Sequence, residues 1–375
     1  MKYVQINSVP HGSTGSVMKT IHEKRIAAGD ESWMMWGRGR EAENDHEFNF
    51  GSKVGFYLDV LQTRVDGRAG FHSKVATRWL LTKLDEIDPD IVHLHNLHGY
   101  YINVELLFKW LADHRCRVKW TLHDCWAFTG HCAHFTYAKC AQWQSHCAYD
   151  EPCCQRFAYP MTYSKSACAK NFDDKKHVFN LIPRERMRLI SPSQWLADLL
   201  ASSFLSAYSV CVNHNEVNHS VFKSTPSSFC ENFGLESKFV VLGVASPWTD
   251  RKGLDDFMKL REELDESYAI VLIGLSEKQI ARMPKGLIGL PKTESMSELA
   301  AAYTAADVLF YPTKEDNFPT VLLEAQACST PVITYDVGGC KETLTLMESQ
   351  AVRNRSEART CLEDLRTKKR TLLYA

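Results

Sequence analysis

Twice along this chain, apolar runs of strand length alternate with stretches of helical period, and a polar segment separates the two series. In the first series, residues 2–8, 33–36, 90–95, 117–123 and 188–191 read as strands. Helical patterns at 16–28, 74–87 and 105–114 lie between them. In the second, 239–244, 269–273, 287–290, 308–311 and 332–334 read as strands, with a helix over 254–264. A strand–helix–strand rhythm requires crossover connections, so each series predicts a parallel sheet with helices on both faces. The expected domains are 1–222 and 238–375. Between them, 223–237 is a linker rich in Ser, Thr, Pro and Asn. Two such sheets place a ligand cleft between the domains, at the carboxyl ends of the strands.

The chain's balance of charge argues against a nucleic-acid partner. Forty-four basic and 45 acidic side chains leave a net charge of −1, which supplies no general field for a polyanion. No apolar run approaches the length of a membrane span, and a cytoplasmic enzyme is expected. The stretch 125–176 breaks the rhythm and reads as an irregular insertion. It holds seven of the 13 cysteines: Cys125, Cys132, Cys140, Cys147, Cys153, Cys154 and Cys168. Buried free thiols account for them. A structural zinc ion on Cys132, Cys140, Cys147 and either Cys153 or Cys154 is the alternative.

Several residues are candidates for chemistry. The segment Lys314-Glu315-Asp316-Asn317-Phe318-Pro319-Thr320 leads from one strand into a helix that carries Glu324. Pro319 suits a first helical turn, and the amides there favour phosphate. Asp316 and Glu324 either hold sugar and ribose hydroxyls or are merely an acid favouring the helix dipole and an exposed Glu. Arg251 and Lys252 before Gly253 either neutralise a diphosphate or form a solvated basic turn. Gly12 and Gly15 sit in a loop after the first strand, either approaching a ligand closely or making a plain turn. His123 and Asp124 close a strand, where a functional histidine would lie. His93, His95 and His98 read as structural or acceptor-side.

Together these motifs resemble glycosyltransferase family 4, retaining enzymes of the GT-B fold, and the polysaccharide and colanic-acid type in particular. The resemblance rests on the two acids Asp316 and Glu324, separated by seven residues, and on Ala327-Cys328-Ser329-Thr330-Pro331-Val332-Ile333 and Gly338-Gly339-Cys340-Lys341-Glu342. It also rests on His123-Asp124, Pro89-Asp90-Ile91-Val92-His93 and Ser191-Pro192-Ser193. It implies two Rossmann-like domains facing across a cleft, and hexosyl transfer from a UDP- or GDP-sugar to a saccharide or lipid-linked acceptor. The setting implied is surface-polysaccharide synthesis, with peripheral contact at the inner membrane face. The resemblance also implies that no catalytic metal is required. His123, Asp316 and Lys252 would be catalytic. Arg251, Lys252, Asp316, Asn317, Phe318, Pro319, Thr320, Glu324, Gly12 and Gly15 would bind the donor.

Three departures from the family pattern stand out. Asn215-Glu216-Val217-Asn218 replaces a glycine turn, so Glu216 is expected to strain a left-handed backbone. Ser246 and Pro247 stand where the family often has an additional arginine. The tail 343–375 is unlike the family's, with a closing helix expected at 356–369 or lacking. A nucleotide-sugar-binding protein without turnover, or another GT-B enzyme such as an epimerase, is therefore the alternative.

Overall fold

A computed structural model describes residues 1–149 and 151–373. The chain divides into two compact units, Met1–His214 and Asn215–Ala375. The division thus precedes the polar segment 223–237, which belongs to the second unit and contains a short helix. That segment reads as a linker because it is polar. It still sends Phe229 and Cys230 onto the second unit's core.

The first unit holds strands β1 (Lys2–Asn7), β2 (Glu31–Trp36), β3 (Glu47–Asn49), β4 (Ile91–Leu94), β5 (Arg117–Thr121), β6 (Met187–Ser191) and β7 (Ser209–Val212). They form one parallel sheet in the order β3-β2-β1-β4-β5-β6-β7. Its helices are α1 (Gly12–Ala27), α2 (Lys53–Asp66), α3 (Lys74–Ile87), α4 (Val104–Asp113), α5 (Ala167–Phe179) and α6 (Gln194–Ala201). The irregular insertion is shorter than its sequence implies, because α5 begins at Ala167. Before it, single turns at Trp126–Phe128, Thr136–Ala138 and Gln142–Gln144 carry the chain. Phe128, Phe135 and Trp143 gather there, with ring centroids 5.3 and 5.1 Å from Trp143.

The second unit holds α7 (Phe229–Phe233), β8 (Phe239–Val244), α8 (Leu254–Glu263), β9 (Tyr268–Ile273), α9 (Glu277–Ile280), β10 (Leu287–Leu290), α10 (Met296–Ala305), β11 (Val308–Tyr311), α11 (Thr320–Ala327), β12 (Val332–Tyr335), β13 (Gln350–Val352) and α12 (Arg355–Leu373). Its parallel sheet runs β10-β9-β8-β11-β12-β13. Side chains alternate across a strand. Phe239 and Val241 of β8 enter one core, and Val240, Leu242 and Val244 enter the other. Both faces are therefore covered, which is why β8 reads as an unbroken apolar run. The closing helix exists: α12 buries Ala358, Cys361, Leu362 and Leu365 in this unit's own core.

In both sheets the strand order reverses between the first and fourth strands, β1/β4 and β8/β11. Ligands of open α/β sheets gather at the carboxyl ends beside such a reversal. Among the described residues, no helix is long and apolar enough to cross a membrane.

Candidate functional site

The second unit's reversal point gathers Arg251, Lys252 and Asp316. After β8 the chain makes one turn, Asp250–Lys252, before α8. After β11 it runs through 312–319 into α11. The two loops are tied backbone to backbone, Lys314 N–H donating to the Arg251 carbonyl at 2.7 Å. Gly253 makes that approach possible. Its φ is +76°, and a Cβ there would lie 2.1 Å from the Pro312 oxygen.

Docking of the loops brings Lys252, Arg251 and Asp316 together. Lys252 Nζ lies 2.5 Å from Asp316 Oδ2 and also donates to the Tyr311 hydroxyl. The Tyr311 hydroxyl in turn donates to Asp316 Oδ2 at 2.7 Å. Arg251 Nη1 stands 3.7 Å from the same oxygen and donates to the Glu315 carbonyl. Burial alone would raise the Asp316 carboxyl. The Lys252 and Arg251 charges, with hydrogen bonds from Lys252 and Tyr311, outweigh burial and hold it well below the usual carboxylate range. Asp316 is therefore an anion at neutral pH, bound between two cations.

Neighbouring residues fix the same loop. Gly338 has φ +58°, and a Cβ on it would lie 1.9 Å from the Asp316 carbonyl oxygen. The Gly339 N–H donates to that oxygen at 3.1 Å. Asn317 is buried, its N–H donating to Asp316 Oδ1 at 2.9 Å, and Phe318 is buried beside it. Asn215 Nδ2 donates to the Phe318 carbonyl at 3.1 Å. The departure 215–218 thus braces the acidic loop. Glu216 is not among the residues with positive φ, so the expected strain is absent. Pro319 is the N-cap of α11 with φ −69°, one residue before its first turn, and Thr320 begins the helix.

Glu324 stands apart from this cluster. It accepts from the Tyr303 hydroxyl at 3.1 Å. Burial lifts its carboxyl above the ordinary range, against hydrogen bonds from Tyr303 and Thr320. It is not the exposed helix acid that its sequence position allows.

Gly12, Gly15 and His123 lie in the first unit. The segment around Gly12 and Gly15 is not a loop but the first turn of α1. The Thr14 hydroxyl accepts from Asn7 Nδ2 at 3.3 Å, pinning that turn to the end of β1. A Cβ on Gly15 would lie 2.4 Å from the Pro10 carbonyl carbon, so glycine lets α1 start against the β1 end. Beside it runs a row of imidazoles. His93 bonds the Tyr3 hydroxyl at 2.8 Å and the Thr121 hydroxyl at 2.7 Å. Gln5 donates from Nε2 to the Met18 carbonyl at 3.0 Å and meets His95 Nε2 through Oε1 at 3.1 Å. His95 Nδ1 meets His123 Nε2 at 3.1 Å. His98 pairs with Asp124 at 2.7 Å. Burial pushes His93 down to about 3 and His123 to about 4, with His95 also well below its ordinary value. All three are neutral at physiological pH.

That row makes stability fall on acidification. A free histidine titrates near 6.5. Below that value the unfolded chain gains protons that folded His93 and His123 refuse until about pH 3–4, and His95 is shifted the same way. The stabilisation is complete above the unfolded value and declines as pH falls toward the folded ones. The urea midpoint is expected to drop between about pH 7.5 and about pH 5, and His93→Gln should flatten that dependence. A midpoint constant over this range would contradict the buried neutral row.

Cys132, Cys140, Cys147 and Cys153 are free, and among the described residues no three His, Cys, Asp or Glu are grouped to hold a metal ion. The zinc alternative therefore has no support among the described residues. The aromatic cluster and Lys175 hold this segment together. Lys175 is buried, donating to the Trp126 and Thr129 carbonyls at 2.8 and 3.0 Å, with Nζ 3.5 Å over the Trp126 ring, and burial pulls its pKa down to about 7.

Sequence reasoning missed Tyr311, Asn215, Gly338 and Lys175. Gly338 stood within a quoted motif, and its pairing with Gly339 was the available signal. Asn215 stood within the departure 215–218; nothing local marks Tyr311 and Lys175, whose partners come from the fold.

Comparison with known proteins gives one consistent picture. Residues 231–363 match the family described as Glycosyl transferases group 1. An alpha-galactosylglucosyldiacylglycerol synthase of Streptococcus pneumoniae is 29% identical over 181 residues, 44% of this chain and 47% of that protein. A putative colanic acid biosynthesis glycosyl transferase, WcaC of Escherichia coli, is 24% identical over 263 residues, 68% of this chain and 62% of that protein. The matches thus span about half to three-fifths of these relatives' lengths. Among solved structures, Anabaena HepE in complex with UDP-glucose superposes with a TM-score of 0.64 at 13% identity, over 99% of this chain and 91% of that one. That likeness shows the fold.

Proposed function

We propose that the chain, whose fold is GT-B and whose residues 231–363 match the group 1 glycosyl transferases, transfers a hexose from a UDP- or GDP-sugar, with retention, to a saccharide or lipid-linked acceptor. The observation that carries the reading is the Lys252–Asp316–Arg251 cluster at the β8/β11 reversal. Lys252 and Arg251 lie where a diphosphate would rest, and the first amides of α11 add partial positive charge. As the bond from the anomeric carbon to the phosphate oxygen breaks, negative charge grows on that oxygen, and these groups stabilise it. The acceptor hydroxyl bonds to the anomeric carbon and its proton passes to the departing phosphate. Asp316 orients the two cations, and Glu324 takes the ribose hydroxyls. The second unit binds the donor, and the first, with Gly12, Gly15 and His123, serves the acceptor and the donor sugar. HepE binds UDP-glucose, and the diacylglycerol-glycolipid and colanic-acid relatives suit a surface glycan or glycolipid product. The enzyme would work in the cytoplasm, at the inner face of the membrane.

A nucleotide-sugar binder without turnover is the second reading. Ser246 and Pro247 supply no cation where the family pattern has one, which favours it. A thermal-shift panel of UDP- and GDP-sugars tests donor binding, because a ligand of the folded state raises its melting temperature. One donor class should stabilise the native chain, and Glu324→Gln should lose the response. If no nucleotide or nucleotide-sugar shifts the native chain, the donor site is wrong. If donor binds but no labelled sugar reaches any acceptor or water, the binder reading stands.

A further inference from the structure

Helix α2 is built inside out. Its apolar residues Val54, Leu58, Leu61 and Val65 recur at four, three and four, which places them on one stripe. That stripe faces outward, with exposures of 70, 54, 60 and 67%. On the opposite side the two buried residues are polar, Asp59 and Thr63 at 1 and 0% exposed, beside the half-buried Phe56 and Val60. Thr63 donates to Asp59 at 3.2 Å, and Ser73 to its other oxygen at 2.5 Å. An amphipathic helix on a soluble core normally turns the other way.

The apolar surface continues beyond α2. Tyr57 is 68% exposed beside the stripe, and Val75 and Trp79 of α3 are each 65% exposed. A cavity of about 590 Å³ opens between the two helices, lined in part by Phe56, Leu58, Trp79 and Tyr100. At the far end of α2, the Tyr163 N–H donates to the Arg64 carbonyl at 2.8 Å, and the exposed Phe157 and Tyr163 rings lie 6.5 Å apart. This area is larger than the scattered apolar residues of an ordinary surface.

Charge says what covers it. Lys53, Arg64, Lys74 and Arg78 are exposed around the stripe, and none makes an ion pair among the described residues. The exposed acid at the end of α2, Asp66, is already engaged by His72 at 3.1 Å. A second copy of the chain docked face to face would bring like cations together. An anionic bilayer would receive them at its headgroups, with Trp79 and Tyr57 at the level such rings prefer and the leucines below. We propose that the α2–α3 face of the first unit is a membrane-docking surface specific for anionic lipid. It deepens the reading of an enzyme working at a membrane, and its test uses no donor.

The experiment is co-sedimentation of the full chain with phosphatidylcholine vesicles, with and without phosphatidylglycerol, alongside light scattering of the chain alone. The native protein should sediment with the phosphatidylglycerol vesicles, and less so in high salt. Leu58→Glu with Leu61→Glu should weaken that binding by about 10-fold per site or more, and Lys74→Glu with Arg78→Glu by about 10-fold. Melting temperature should stay unchanged in both, because those side chains are already exposed. Equal sedimentation of native and variant chains, or none with either vesicle, overturns the proposal. So does a dimer that Leu58→Glu with Leu61→Glu dissociates, which would make a second copy the occupant. A nucleotide-sugar response kept in a chain that ignores vesicles sinks this surface alone. Vesicle binding without any nucleotide response sinks the donor reading alone.

Discussion

Replacing Lys252 by alanine is expected to lower turnover by about 10²–10³-fold, the usual effect of removing one preorganised charge from a developing anion. Lys252 is the cation in closest contact with Asp316, at 2.5 Å, and only 19% of its side chain is exposed. Its loss would leave Arg251 at 3.7 Å as the nearest positive charge. Two effects should separate. On the proposed mechanism turnover should fall, because the leaving phosphate would lose its partner. Stability also falls, by about 1–3 kcal/mol after allowance for partial solvent access, because Asp316 keeps its charge with less to balance it. The Asp316 carboxyl should then titrate at higher pH than in the native chain, so acid unfolding should begin earlier. Asp316→Asn with Lys252→Ala should recover most of the stability and none of the turnover. Steady-state rates with urea midpoints for the single and double variants decide the matter. A Lys252→Ala enzyme turning over at the native rate would remove the cluster from the mechanism.

The other large effect belongs to Gly253→Ala, which touches no ligand. At φ +76° an alanine costs about 1–2 kcal/mol in backbone strain alone. Its Cβ would also meet the Pro312 carbonyl, with oxygen at 2.1 Å and carbon at 2.9 Å. Backbone atoms at the end of a central strand cannot rotate away, so the 250–253 turn must part from the 312–316 loop. A total destabilisation of about 3 kcal/mol or more is expected. Any protein that folds should lose the donor response as well, because Lys252 and Asp316 ride on the two loops that separate. A variant with native melting temperature and native nucleotide response would show that the loops need not touch.

Much of this architecture was legible because it is buried on both sides. Strands β8, β9 and β11 are apolar throughout, and no half-exposed alternation obscures them. The edge strands β3, β7 and β13 were not legible: each is three or four residues long and largely half-exposed or exposed. Helix α2 went unassigned although Val54, Leu58, Leu61 and Val65 carry a helical period. Nothing in a period says which way its apolar side will turn. At the candidate site, Lys252 and Asp316 were identified by motif, 64 residues apart in the chain. Tyr311 was not, because it ends a buried strand, and only the fold directs its hydroxyl at a carboxylate. Lys175 is the extreme case. A lysine reads as solvated, and its partners, Trp126 and Thr129, lie 49 and 46 residues away.

The imidazole row also sets which nitrogen holds each proton. The Gln5 amide is oriented by its donation to the Met18 carbonyl, so it turns its oxygen toward His95 Nε2. An oxygen there demands a proton on that nitrogen. Neutral His95 has only one, which leaves Nδ1 as a bare lone pair facing His123 Nε2. His123 must then carry its single proton on Nε2, and its Nδ1 is an acceptor. A glutamine on the first strand thereby dictates, through two rings, the polarity of a histidine at the sheet's carboxyl edge. Whatever group meets His123 Nδ1 must bring the hydrogen itself, as a sugar hydroxyl does and an ether oxygen cannot.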